Sequence, residues 1–136
     1  MAVSYNQILA DLKRKTYHPI YMLCGEEPYF IDLLCHVFEN QILSADEKEF
    51  NQTILYGRDV DAQTIMEYAK RYPMMASHQV VIVKEAQDVK TIDDLVTYAE
   101  KPLSSTILVL CYKYKKYDKR KVLAKKIEAK GVYFES

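Results

Sequence analysis

Ile20-Tyr21-Met22-Leu23-Cys24-Gly25-Glu26-Glu27-Pro28-Tyr29-Phe30-Ile31-Asp32 joins an uninterrupted apolar run to a glycine, two acids and the opening of a helix. Pro28 suits the first turn of that helix, where its missing N–H is no loss. Phe30, Leu33, Leu34, Val37 and Phe38 then recur at helical spacing and predict a wide apolar stripe. A strand that is apolar along its whole length is buried on both faces. That is the signature of a parallel sheet with helices above and below it.

The same alternation continues outward from this stretch. Upstream, Ser4 reads as the N-cap of a helix with Ile8, Leu9 and Leu12 on one face, closing on Lys13-Arg14-Lys15, where cations suit the dipole. Downstream, Phe50 to Tyr56 reads as a second strand, broken by Gly57. Asp61 reads as the cap of a helix carrying Ala62, Ile65, Met66 and Ala69 and closing on Arg71. Val80-Val81-Ile82-Val83 is a buried, β-branched-rich strand. Thr91 to Glu100 predicts a short helix ended by Pro102, and Thr106 to Cys111 the next strand. Asp118 to Lys130 predicts the last helix, with Asp118 as its cap and Gly131 as its C-cap, before a fifth strand at Val132-Tyr133-Phe134. There is no internal repeat, low-complexity segment or linker, so the 136 residues read as one α/β domain.

Composition excludes more than it selects. The apolar share is 49% and the charged share 28%, ordinary for a globular chain, and 19 basic residues balance 19 acidic ones. Net charge therefore favours neither nucleic acid nor a membrane surface, and no apolar stretch approaches the ~20 residues of a membrane span. Three cysteines are an odd number without paired spacing. Cys24 and Cys111 each end an apolar run as small hydrophobes, so a reducing, cytoplasmic setting is expected. His18, His36 and His78 share no ligand spacing with any cysteine, and a metal site is not expected.

In a parallel sheet, ligands bind beyond the carboxyl ends of the strands. The residues after Cys24 stand where a phosphate-binding loop would lie. Such a loop needs glycines, a lysine for the β/γ-phosphates and a Ser/Thr for magnesium. Counted from Gly25, the three positions that should hold Gly, Lys and Ser/Thr hold Phe30, Ile31 and Asp32, while Glu26 and Glu27 put negative charge where the anion would bind. After the third strand, Lys84 stands where a magnesium-binding Asp is needed, followed by Glu85. The scaffold for nucleotide chemistry is present and its functional groups are not, so no cofactor is expected.

Between the third helix and the third strand lies Tyr72-Pro73-Met74-Met75-Ala76-Ser77-His78. Pro73 disfavours a helical Tyr72 and stops the helix. Two adjacent methionines then occupy a connection, and connections run over the surface, where thioethers suit a partner's apolar pocket. Met is also a commonly buried residue, and on physics alone the preferred reading folds the pair under the loop into the core.

From Lys113 to Lys130 nine Lys/Arg stand against Asp118 and Glu128, an excess of seven. Tyr112, Tyr114 and Tyr117 interleave with these cations, a pattern that can stack on bases and neutralise phosphates. The preferred reading is a solvated loop and helix face. Catalysis has little support: no Ser/His/Asp or Cys/His arrangement follows from spacing, and Cys35 and His36 diverge around a helix.

Taken together, Leu23-Cys24-Gly25-Glu26-Glu27-Pro28-Tyr29-Phe30-Ile31 resembles the opening of the delta subunit family of bacterial DNA polymerase III, part of the sliding-clamp loader. Met74-Met75-Ala76-Ser77-His78-Gln79-Val80-Val81 is similar to that family's clamp-binding junction, and Asp118-Lys119-Arg120-Lys121 to its last helix. The resemblance spans nearly all of the chain. It implies a three-layer, P-loop NTPase-like (AAA+-like) fold with a five-stranded, mainly parallel sheet and a degenerate nucleotide site. It further implies that residues 1–136 are the first domain of a longer subunit, whose lid and collar domains are absent from this chain.

The implied function is non-catalytic: the domain binds and opens the ring-shaped clamp (the beta subunit) during DNA replication while sister subunits hydrolyse ATP. Contacts with those subunits (gamma/tau and delta prime) would lie mainly in the missing collar, leaving the isolated domain monomeric in a cytoplasmic, nucleoid-associated replisome. The family's clamp contact is an adjacent apolar pair, often Leu-Phe, here Met74 and Met75, and the resemblance thus reverses the reading of the methionines; Tyr72 is read equally as packing beside that anchor or as covering the helix end. The resemblance also makes Lys115, Lys116, Lys119 and Arg120 candidate contacts for primer-template DNA. The alternative is a nucleotide-dependent enzyme or switch of flavodoxin-like or P-loop type with an atypical phosphate loop.

Overall fold

The computed structural model describes residues 3–136, so the first two residues of the expected domain lie outside the described residues. Five strands form one sheet in the order β2-β3-β4-β1-β5: β1 (Ile20–Gly25), β2 (Gln52–Tyr56), β3 (Gln79–Lys84), β4 (Thr106–Lys113) and β5 (Val132–Glu135). Every neighbouring pair is parallel, where a mainly parallel sheet was expected. The alternation of side chains across each strand builds two apolar layers. Tyr21, Leu23, Val80, Ile82, Ile107 and Val109 face one side, where α1 (Tyr5–Lys13) and α2 (Pro28–Asn40) pack. Ile20, Met22, Val81, Val83, Leu108 and Leu110 face the other, under α4 (Ala62–Ala69), α5 (Val96–Glu100) and α6 (Val122–Lys130).

Local signals place the helix starts. Ser4 and Gln7 form a reciprocal capping box at α1, and the Asp61 carboxylate accepts from the Thr64 N–H at α4. Gly131 follows α6, and a β-carbon there would fall 2.0 Å from the Ile20 carbonyl oxygen. That close approach of two backbones, rather than a left-handed turn, requires glycine.

Five expectations are corrected. Phe50 and Asn51 are not strand but the end of an additional helix, α3 (Ala45–Asn51), nucleated by a capping box between Ser44 and Glu47. In α2 the buried face is Ile31, Leu34, Cys35 and Phe38, rotated from the predicted stripe and leaving Phe30 partly exposed. α4 ends at Ala69 rather than Arg71, and Gln79 and Thr106 donate to the Tyr68 and Ala69 carbonyls at its end. The predicted helix from Thr91 is a 3-10 turn, Ile92–Leu95, followed by α5; the Thr91 hydroxyl instead accepts from the Ala62 N–H at the start of α4. Asp118 does not cap α6, which starts four residues later; its carboxylate accepts from the Arg120 N–H and pairs with the Arg120 guanidinium.

Candidate functional site

The carboxyl ends of β1, β3 and β4 converge where a nucleotide would bind, and the protein's own charges fill the place. β4 lies between β3 and β1, so Lys113 at its end reaches both Asp32 in the helix after β1 and Glu85 just after β3. Its ammonium sits 2.9 Å from Asp32 Oδ1 and 2.9 Å from Glu85 Oε2. Burial alone would lower the Lys113 pKa, but the bonds to Glu85 and Asp32 outweigh it and hold it above the usual lysine range. The same ammonium holds Glu85 below the usual carboxylate range, with help from Gln87. Lys84, at the metal-carboxylate position, donates to Glu39 at 2.9 Å, and that bond raises its pKa.

The phosphate position is closed in the same manner. The Glu27 carboxylate accepts from the Tyr29 N–H at 3.0 Å, placing an internal anion on the first turn of α2. Gly25 has φ +136°, a conformation suited to glycine, and a β-carbon there would meet the Ser136 backbone at 2.0 Å. The close approach that a phosphate-binding glycine offers its ligand is taken here by the chain itself. Ile31, at the phosphate-lysine position, is 0% exposed in the apolar layer with Tyr21 and Leu23. Phe30 packs against Tyr5 and Tyr29, with ring centroids 5.0 and 5.1 Å apart.

At the opposite, amino end of the sheet the Tyr72–His78 connection stands out into solvent. Met75 is 98% exposed, Tyr72 78% and Met74 60%, so the core reading of the methionines fails on burial. Met75 takes φ 55°, a left-handed conformation uncommon for a side chain of this size. Both roots of the loop are tied down. At one, the Gln79 side-chain amide lies 2.6–3.3 Å from the carbonyl oxygens of Tyr68, Ala69 and Arg71, and the Thr106 hydroxyl donates to Ala69 at 2.7 Å. Arg71 stacks on the Tyr68 ring at 4.2 Å. At the other, His78 packs edge-on against Tyr17 and exchanges a 3.0 Å hydrogen bond with Ser77, a turn-shaping role.

In the middle, the buried Asn51 side chain holds Met74: the Met74 N–H donates to Oδ1 at 2.6 Å, and Nδ2 donates to the Met74 carbonyl at 2.8 Å. Sequence reasoning missed Asn51, Lys113 and Glu39, whose partners lie far along the chain. The exposed Phe50 stands next to Asn51 on the same end of the sheet.

Four of the nine cations in the basic run, Lys113 included, are held in ion pairs among the described residues. Lys119 pairs with Glu135 at 3.7 Å, Arg120 with Asp118 at 3.1 Å and Lys121 with Asp93 at 2.8 Å. Tyr112 and Tyr117 are buried and stack edge-to-face at 5.4 Å, and the Tyr117 hydroxyl donates to Asp93. Of the interleaved tyrosines, Tyr114 is exposed, beside Lys115 and Lys116. Among the described residues no three His, Cys, Asp or Glu side chains gather as a metal cluster, and no helix is long and apolar enough to cross a membrane.

Comparison with known proteins fits this geometry. The solved Bacillus subtilis DNA clamp loader delta protein superposes with a TM-score of 0.82 over 98% of this chain and 42% of its own, at 22% identity. A DNA polymerase III gamma subunit-related protein of Thermotoga maritima superposes with a TM-score of 0.58 over 94% of this chain and 45% of its own, at 17% identity. These likenesses carry the fold, which is AAA+-like. In sequence, DNA polymerase III subunit delta of Bacillus subtilis is 26% identical over 136 residues, covering 93% of this chain and 39% of that protein. The chain thus spans about two fifths of the length of its curated relative. The family model described as DNA polymerase III, delta subunit, matches residues 21–136. On that match, across most of its length, the chain belongs to the DNA polymerase III delta subunit family.

Proposed function

We propose that this domain is a non-catalytic adaptor that binds the DNA sliding clamp through Met74 and Met75 and holds one of its interfaces open. The observation that carries the reading is the adjacent methionine pair, exposed at 60% and 98% on a loop whose first end and centre are hydrogen-bonded to the body of the domain and whose other end packs on Tyr17. Large apolar side chains presented from a fixed backbone lose little conformational freedom on docking, and such anchors carry most of an interface's binding energy. Tyr72 borders the pair and adds amphipathic contact area. Lys115 and Lys116 form no ion pair among the described residues and are the better candidates for a weak DNA contact; Lys119 and Arg120 would first have to leave Glu135 and Asp118. In this reading residues 1–136 are the clamp-binding domain of a longer subunit, and its remaining domains carry the contacts with sister subunits.

The competing reading, a nucleotide-dependent enzyme or switch, needs a vacant phosphate site. Binding ATP here would require separating Lys113 from two carboxylates and displacing Glu27 from the first turn of α2. Isothermal calorimetry is therefore expected to detect no ATP–magnesium binding; tight, magnesium-dependent binding would overturn the adaptor reading. The 136-residue chain is also expected to sediment as a monomer at micromolar concentration. A concentration-independent dimer would contradict the assignment of subunit contacts to other domains.

A further inference from the structure

The methionine pair does not hold its own conformation. Met75 sits in a left-handed backbone state with φ 55°, and neither Met74 nor Met75 has a side chain packed in the core to keep it there. At its centre the turn is held by a buried carboxamide. Asn51 is 4% exposed, and three of its four hydrogen-bonding positions are used: Oδ1 accepts from the Met74 N–H at 2.6 Å, while Nδ2 donates to the Met74 carbonyl at 2.8 Å and to the Glu47 carbonyl at 3.0 Å. The bond to Glu47 fixes the amide plane against the last turn of α3, and α3 is itself fixed at its start by the Ser44–Glu47 capping box. A capping box, one short polar helix and one asparagine thus connect the body of the domain to the Met74 backbone.

We infer that Asn51 is the positioning residue of the clamp contact, locking the Met74 peptide so that the Met74 and Met75 thioethers project together before the partner arrives. This rests on the clamp-binding reading above and names the group that pre-organises it. The chemistry selects Asn. A carboxamide offers a donor and an acceptor in one plane, matched to the N–H and C=O of a single residue. Aspartate would keep the acceptor for the Met74 N–H but set an anionic oxygen against two carbonyls. Alanine would leave the Met74 N–H and carbonyl without the partners that tie them to the domain. Either change frees the turn, and the cost of ordering it then falls on binding.

The test uses the full-length delta subunit and its cognate clamp, with surface plasmon resonance at a temperature where circular dichroism shows every variant folded. Asn51→Ala should weaken binding about tenfold, the scale expected when a pre-ordered loop must be ordered on association. Asn51→Asp should fall between it and the parent. Backbone amide exchange at Met74 should be slow in the parent and fast in both variants. The decisive readout is a double-mutant cycle: with Met74→Ala and Met75→Ala already present, Asn51→Ala should cost less than about twofold more, since it acts only through those side chains.

A merely structural asparagine would lower the melting temperature without this coupling. If Asn51→Ala does not fold, Asn51→Asp carries the same cycle. Parent-like affinity in the Asn51 variants, or an equal loss with and without the methionines, would overturn the inference while leaving the methionine site standing. If the methionine double variant itself binds as the parent does, the clamp-binding reading fails instead.

Discussion

Replacing Met74 and Met75 together by alanine should weaken clamp binding by about a hundredfold or more while shifting the melting temperature by no more than about 3 °C. The size of the binding effect follows from burial. Each Met side chain transferred into an apolar pocket contributes about 1.5–3 kcal/mol, and truncating an interface anchor costs about 2 kcal/mol or more. The small thermal effect follows from exposure: a side chain already 98% in water loses little packing when it is shortened. Burial in the core would predict the reverse, a large loss of stability with a minor, indirect loss of affinity. Met75→Phe should preserve or tighten binding, because it restores the aromatic member of the apolar pair that the delta family often presents. Surface plasmon resonance against the clamp, with thermal melts of the same preparations, measures both quantities.

Ile31→Lys should cost the domain about 3–5 kcal/mol and create no ATP site. The substitution supplies the one residue a phosphate-binding loop most visibly lacks, yet it does so at a fully buried position in the layer between α2 and the sheet. The change removes apolar volume and brings an ammonium into a fully buried apolar layer. It also stands in the first turn of α2, where the helix dipole disfavours a cation. For a chain of this size the loss corresponds to a melting temperature lower by more than about 10 °C. Calorimetry should still detect no ATP binding, since Glu27 and the Asp32–Lys113–Glu85 network remain in place. A stable variant that binds ATP would show that a single residue had inactivated an otherwise intact site, contrary to the geometry.

The sequence and the structure agree where the signal is local. Apolar runs such as Val80–Val83, the caps at Ser4 and Asp61, and Pro28 in the first turn of α2 all report on residues within one turn or one strand. The residues that stand at the phosphate-lysine and metal-carboxylate positions, Ile31 and Lys84, are likewise read from short spacings. What could not be read depends on long-range geometry. Nothing near Lys113 in sequence indicates that β4 inserts between β1 and β3 and carries that ammonium to Asp32, 81 residues away. Asn51 likewise meets Met74 across 23 residues.

The extra helix α3 was the avoidable miss. Its residues show no apolar stripe, but Ser44 followed three positions later by Glu47 is the capping-box signature. The methionines are a different case: composition favours burial for Met, their place on a connection favours the surface, and the resemblance to the delta subunit family decided between the two. Their exposure was decided by Gln79 and Asn51, which tie the loop's backbone and leave its side chains free.

Direct proximity tests the central claim, that Met75 enters the clamp. A photoreactive benzophenone amino acid in place of Met75, in the full-length subunit mixed with its cognate clamp, should give on irradiation a covalent adduct of subunit and clamp. The same amino acid in place of the exposed Tyr114, which follows β4 at the opposite end of the sheet, should give little. Adducts at Tyr114 and none at Met75 would place the clamp on the wrong end of the domain and contradict the account.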